Sequence, residues 1–175
     1  MLSPGSMSPP DIEPVSWKTI VVGTDFSLAA DHAVITAARL AVAHRSTLVL
    51  VHVCELPPGL APNTMIRPSD AATATTIDAH LRDAAIQQLE GSAARLVGRA
   101  VPVSLQVAFG SPAERLVSIA GERTADVVVV GTQGRTGLAR ALLGSVAERV
   151  VRGSPMPVLT VRHGARETLT LPAEH

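Results

Sequence analysis

Short runs of branched aliphatic residues alternate along the chain with longer stretches in which apolar positions recur every three or four residues. The runs are TIVVGTD (Thr19–Asp25), TLVLVHV (Thr47–Val53), VPVSLQV (Val101–Val107), VVVV (Val127–Val130) and PVLTVR (Pro157–Arg162). A strand with one wet face alternates apolar and polar side chains, whereas a strand covered on both faces reads as an unbroken aliphatic run. The valines at 127–130 are of the second kind and predict a central strand of a parallel sheet. Val103, Leu105 and Val107 alternate with polar residues, which predicts a strand nearer the sheet edge.

The stretches between the runs carry helix signals. Ser27 is placed to cap a helix whose face holds Ala30, Val34, Ala37, Ala38, Ala41 and Val42. ELPPGLAPN (Glu55–Asn63) reads as loop, and Ser69–Gly98 as a second helix with Ile77, Leu81, Ala84, Ala85 and Leu89 on one face. Ser111, Pro112 and Glu114 form the pattern of a capping box with proline in the first turn. A fourth helix follows Gly144. Strands alternating with helices predict one α/β domain: a five-stranded parallel sheet with right-handed crossovers and helices on both faces. Counting the runs in chain order, the expected strand order is 3-2-1-4-5, because the turns after the first and fourth strands can share a ligand only if those strands are neighbours. Residues 1–16 are expected to be a flexible arm and 164–175 a flexible tail, leaving 17–163 as the domain.

Composition narrows the functional classes. Hydrophobic residues make up 46% and charged residues 17%, which excludes disorder for the body of the chain. No apolar run approaches the roughly 18 residues a membrane span needs. A formal net charge of zero and an aromatic content of 2% leave neither a basic field nor stacking platforms, so no nucleic-acid partner is expected. The single cysteine, Cys54, cannot form an internal disulfide, and the first residues lack a basic region followed by an apolar one; both point to a cytoplasmic location. The six histidines show no metal-binding spacing, so no dedicated metal site is expected. His52 reads as a packed strand residue and Cys54 as a buried, inert thiol.

The chemistry concentrates after the valine strand, in GTQGRTGLARALLGSVAERVV. A nucleoside-triphosphate P-loop requires a lysine in the loop, but the only lysine is Lys18, before the first strand. A dinucleotide fingerprint requires three glycines after the first strand, where only Gly23 stands. What remains is Gly131-x2-Gly134-x9-Gly144-Ser145. Helix N-termini present unpaired N–H groups and the positive end of the helix dipole, so the amides from Gly144 onward suit a phosphate, with Gly131 and Gly134 offering bare backbone. Other readings stand beside this one. Ser145 and Glu148 also form a capping-box pattern, the glycines also suit turns, and Arg135 and Arg140 are placed either to reach phosphate or to face solvent. Asp25 suits ribose hydroxyls or a phosphate-bound cation, since bare phosphate would be repelled.

The spaced glycines, together with the early Asp25 and the His52-Val53 pair ending the second strand, resemble the ATP-binding signature of the universal stress protein family over about residues 17–162. The resemblance implies a nucleotide-binding homodimer, paired through strand 157–162, that acts as a regulator in stress response. It implies that Thr24 and Asp25 meet the nucleoside, that Val53 meets adenine through its backbone, and that Val130 lines the pocket. Gly131, Gln133, Gly134, Gly144, Ser145, Val146 and Ala147 would surround ribose and phosphates, Ala147 through its N–H alone, with magnesium near Asp25 if ATP carries it. A slow ATP hydrolase and a ligand-free scaffold dimer are the alternatives. No histidine or lysine lies between Val127 and Val151, which counts against a catalytic cluster there.

Overall fold

The computed structural model describes residues 15–69, 73–99, 101–132 and 143–162. In chain order the elements are β1 (Thr19–Gly23), α1 (Leu28–His44), β2 (Thr47–Cys54), β3 (Met65–Ile66), β4 (Thr75–Thr76) and α2 (Ile77–Leu96). They continue with β5 (Val103–Phe109), α3 (Pro112–Glu122), β6 (Val127–Gly131), α4 (Ser145–Gly153) and β7 (Val158–Val161). The main sheet has the order β5-β2-β1-β6-β7, and every neighbouring pair in it is parallel. This is the order expected from the sequence, with β5 at one edge and β7 at the other.

The sheet separates two apolar cores. Ile20, Val22, Leu48, Leu50, Val127 and Val129 face α1 and α2, where Ala33, Ala37, Ala41 and Leu89 meet them. Val21, Val49, Val51, Val128 and Val130 face α3 and α4, against Leu116, Ile119, Ala147 and Val150. Consecutive strand residues point to opposite faces, so the four valines of β6 feed the two cores in turn. That double burial is why the segment has no polar positions.

The helix ends follow the sequence in some places and depart from it in others. Ser27 caps α1 as expected, its Oγ accepting the Ala30 N–H at 3.2 Å. Val42, assigned to the inner face of α1, is 53% exposed instead, and the buried stripe runs through Ala29, Ala33, Ala37 and Ala41. At α3, Pro112 occupies the first turn, but Ser111 makes no side-chain cap bond, so the expected capping box does not form.

The largest correction concerns the start of the second helix: Ser69, residues 73 and 74, and Thr75–Thr76 are not helical. Thr75–Thr76 pairs antiparallel with Met65–Ile66, and α2 begins only at Ile77. β-branched threonines favour extended backbone, and the short hairpin they form takes over the capping of the helix. The Ile77 N–H donates to Thr64 O at 2.9 Å and the Asp78 N–H to Pro62 O at 3.2 Å, satisfying helix donors that no side chain caps. The arm and tail expected at 1–16 and 164–175 lie outside the described residues, apart from residues 15 and 16. Among the described residues no helix is long and apolar enough to cross a membrane.

At the N-terminal edge of the sheet, Asp126 Oδ2 accepts the Lys18 N–H at 2.7 Å and the Thr19 N–H at 2.9 Å, tying the start of β1 to the start of β6. Asp126→Ala is expected to lower stability by about 1–3 kcal/mol, and Asp126→Asn by less, because the amide oxygen still accepts. Urea denaturation with an unchanged slope is the check.

Candidate functional site

Parallel register brings the ends of three strands to one edge. Val22 stands level with Leu50 and with Val129, so the chain beyond β1, β2 and β6 emerges together. The turn after β1 is built from side chains that accept from nearby backbone donors. Thr24 Oγ1 accepts the Phe26 N–H at 3.0 Å, and Asp25 Oδ1 accepts the Ser27 N–H at 3.1 Å. Thr24 is itself buried and donates its N–H to Val51 O at 2.9 Å. These bonds hold Phe26 at a φ of 63°, a left-handed conformation that is rare for a bulky side chain and costs about 1–3 kcal/mol.

His52 completes the turn. Its Nδ1 lies 2.8 Å from Thr24 O, and since a carbonyl only accepts, Nδ1 carries the proton. The imidazole packs on the Phe26 ring with centroids 4.4 Å apart. His52 is thus more than the packed strand residue expected: it fastens β2 to the strained turn. Cys54, two residues on, is buried, and its thiol lies 3.9 Å from Leu81 O. Burial pushes the thiol pKa up, and the nearby Arg82 guanidinium offsets part of that. The inert reading of Cys54 agrees with this environment.

Above this edge opens a cavity of about 680 Å3, within the usual range for small-molecule sites. Nine residues singled out in the sequence line it: Thr24, Asp25, Val53, Val130, Gly131, Gly144, Ser145, Val146 and Ala147. Gln133 and Gly134, with Arg135, Gly137 and Arg140, lie outside the described residues. Sequence reasoning missed Phe26, whose left-handed backbone carries no glycine or asparagine to announce it. It placed Leu81, Ala84 and Ala85 on one face of the second helix without a role; all of them line the cavity, and Ala85 is buried as well.

Two local readings change. The N-cap of α4 is Gly144, not Ser145, which is the first helical residue. The Ser145–Glu148 capping box does not form; the Glu148 carboxylate instead reaches Arg152 at 3.1 Å. Gly144 has no side chain to cap this helix, so among the described residues its first-turn amides face the cavity end without a side-chain acceptor. Gly131 also has a reason that the sequence did not suggest. A Cβ there would lie 3.0 Å from Ala29 O and 3.3 Å from Ala30 N, so any side chain at this position presses on the backbone of the first turn of α1, which would have to give by a few tenths of an ångström. Beyond it, the Thr132 N–H donates to Val161 O at 2.8 Å, and Thr132 O accepts the Gly144 N–H at 2.7 Å, joining the two ends of the connection from β6 to α4.

Comparison with known proteins is consistent with this arrangement. A family model described as the universal stress protein family matches residues 16–162. A universal stress protein of Thermus aquaticus is 32% identical over 146 residues, covering 83% of this chain and 99% of that protein. The structure of a Methanocaldococcus jannaschii protein superposes with a TM-score of 0.67 at 25% identity, over 85% of this chain and 98% of that one. A universal stress protein solved in complex with cAMP is 30% identical, with a TM-score of 0.54 over 84% of this chain and 98% of that one. Against several other curated relatives the chain spans less than half of their length.

The packing at Gly131 yields a direct test. Gly131→Ala forces the α1 backbone to shift and is expected to destabilise the ligand-free protein by about 1–3 kcal/mol, read from chemical denaturation. An unchanged midpoint would show that the close approach to Ala29 is not a constraint.

Proposed function

This chain is a member of the universal stress protein family, and on that premise we propose that its cavity binds an adenine nucleotide, ATP in the first instance. The observation that carries the reading is the uncapped N-terminus of α4 opening on the same cavity as the apolar residues Val53 and Val130. A phosphate chain needs donors and positive potential, and a base needs apolar walls; the cavity offers both within one volume. The solved relative in complex with cAMP adds support for an adenine nucleotide as the ligand class.

In this reading the amides of Ser145, Val146 and Ala147 hold phosphate, and Ala147 contributes only its N–H, its side chain being buried in the core. Val53 and Val130 enclose the base, while Thr24 and Asp25 meet the ribose. The Asp25 carboxylate suits hydroxyl donors better than phosphate, which it would repel. Among the described residues no three histidine, cysteine or acidic side chains gather to hold a metal, so magnesium, where present, would be carried by the phosphates and only approached by Asp25. Gln133 and Gly134 belong to the phosphate side by their place in the glycine pattern. Among the described residues β7 is the last strand of the sheet, and an edge strand of this kind favours a homodimer paired through it. Nucleotide occupancy would then set the conformation or partner choice of the dimer in a cytoplasmic stress response.

Gly144→Ser separates ligand from fold. Gly144 has φ −69° and ψ 156°, angles open to any residue, and serine is a better N-cap than glycine by a few tenths of a kcal/mol. The new hydroxyl would accept from the first-turn amides and compete with phosphate for them. The expected result is an unchanged or slightly raised melting temperature without ligand, and ATP affinity at least tenfold weaker by calorimetry. Full ATP affinity in this variant would contradict phosphate binding at α4.

A further inference from the structure

The cavity is larger than the part the nucleotide reading uses, and its lining divides by sheet face. In β2, Leu48 and Leu50 face α1 and α2, while Val49 and Val51 face α3 and α4. Pairing with β5 runs residue by residue to Cys54, so the alternation continues unbroken: His52 and Cys54 face α1 and α2, and Val53 faces α3 and α4. Val53, Val130 and the start of α4 therefore belong to one side of the sheet edge. On the other side the cavity continues between Phe26, His52, Cys54, Leu81, Ala84 and Ala85, to none of which the nucleotide reading gives a role.

The chemistry of this second side is apolar. Of its heteroatom-bearing side chains, His52 Nδ1 is bonded to Thr24 O and the Cys54 thiol lies against Leu81 O, while Gln88 brings an uncharged amide at the exposed end of the lining. Arg82 is not part of the lining; its guanidinium lies 5.1 Å over the Phe109 ring. Glu55, exposed at the rim, repels anions. Phe26 is packed against the α1–α2 core, and its left-handed backbone is what directs the ring there. Rings and small aliphatic walls without a free charge select a neutral planar group.

We propose that the α1–α2 side of the cavity, walled by Phe26, His52, Leu81 and Ala84, is a second subsite that accepts a neutral aromatic group, carried either by a free small molecule or as a substituent of the nucleotide. The proposal uses the nucleotide reading only to say which half of the cavity is already assigned. The subsite itself rests on the lining.

N-phenyl-1-naphthylamine, neutral and fluorescent in apolar surroundings, is the probe, used with the full chain. Its fluorescence is expected to saturate, and saturating ATP is expected to leave its affinity within about threefold. The backbone amide resonances of Leu81, Ala84 and Ala85 report location: bound probe should shift them saturably. Ala84→Phe fills the subsite and should weaken the probe at least tenfold, with Gln88→Trp as a second filling variant if the first melts early. ATP bearing a methylanthraniloyl group on the ribose distinguishes the two sources. Binding tenfold tighter than ATP, lost in Ala84→Phe, assigns the group to a substituted nucleotide; binding equal to ATP assigns it to a free molecule. The proposal is overturned by absence of saturable fluorescence, by unmoved amides at Leu81, Ala84 and Ala85, by full probe affinity in both filling variants, or by competitive displacement of the probe by ATP. If ATP fails to bind while the probe behaves as expected, the nucleotide reading falls and the subsite stands.

Discussion

β1 has a hydrogen-bonded neighbour on each side, and both run in its own direction, with Val22 level with Leu50 and Val129. Parallel neighbours in register finish at the same edge. The turn after β1, the end of β2 and the glycine after β6 therefore meet without any long side chain having to reach across. Were β6 antiparallel to β1, Thr24 and Gly131 would lie at opposite ends of the sheet and no shared cavity would form. The sheet order is also a topological switch point, where the connections from β1 and β6 depart to opposite faces, and such points open crevices.

Backbone rather than side-chain chemistry dominates what gathers at that edge. Gly131 is bare because the first turn of α1 presses on it, and that contact sets α1 beside the cavity. Phe26 is held in a costly conformation by the Thr24 hydroxyl and packed on His52, so the turn is rigid before any ligand arrives. The amides at the start of α4 are left to the cavity because Gly144 brings no side chain to cap them. Each of these features is small by itself. Together they place donors, an acid and apolar walls around one volume at fixed positions, which lowers the entropy lost on binding.

The five main strands and their order were legible in the chain because periodicity is a local signal that parallel register then converts into geometry, and the glycine spacing marked the turn after β6; the other residues on the cavity's α3–α4 side were expected from the family resemblance. Val127–Val130 read as doubly buried because it is. The α1–α2 side was not legible. Leu81, Ala84 and Ala85 sit at helical spacing that a core face and a cavity wall share, and only the tertiary structure separates the two. Helix caps were misread where a capping side chain was present without making its bond, at Ser111 and Ser145, since cap patterns do not reveal competing partners such as Arg152. Thr75–Thr76 was taken into α2 because the helical pattern beyond it is strong, while the partner strand at Met65–Ile66 is too short to show periodicity.

The central claim is that an adenine nucleotide sits with its phosphates on the first turn of α4. Titrating ATP into the isotopically labelled protein and following backbone amide resonances tests it at the atoms concerned. The amides of Ser145, Val146 and Ala147 are expected to shift saturably, accompanied by Thr24, Asp25 and Val53, with the α3 amides of Ser118–Glu122 unmoved. No saturable shift, or shifts that spare α4 while appearing elsewhere, would contradict it.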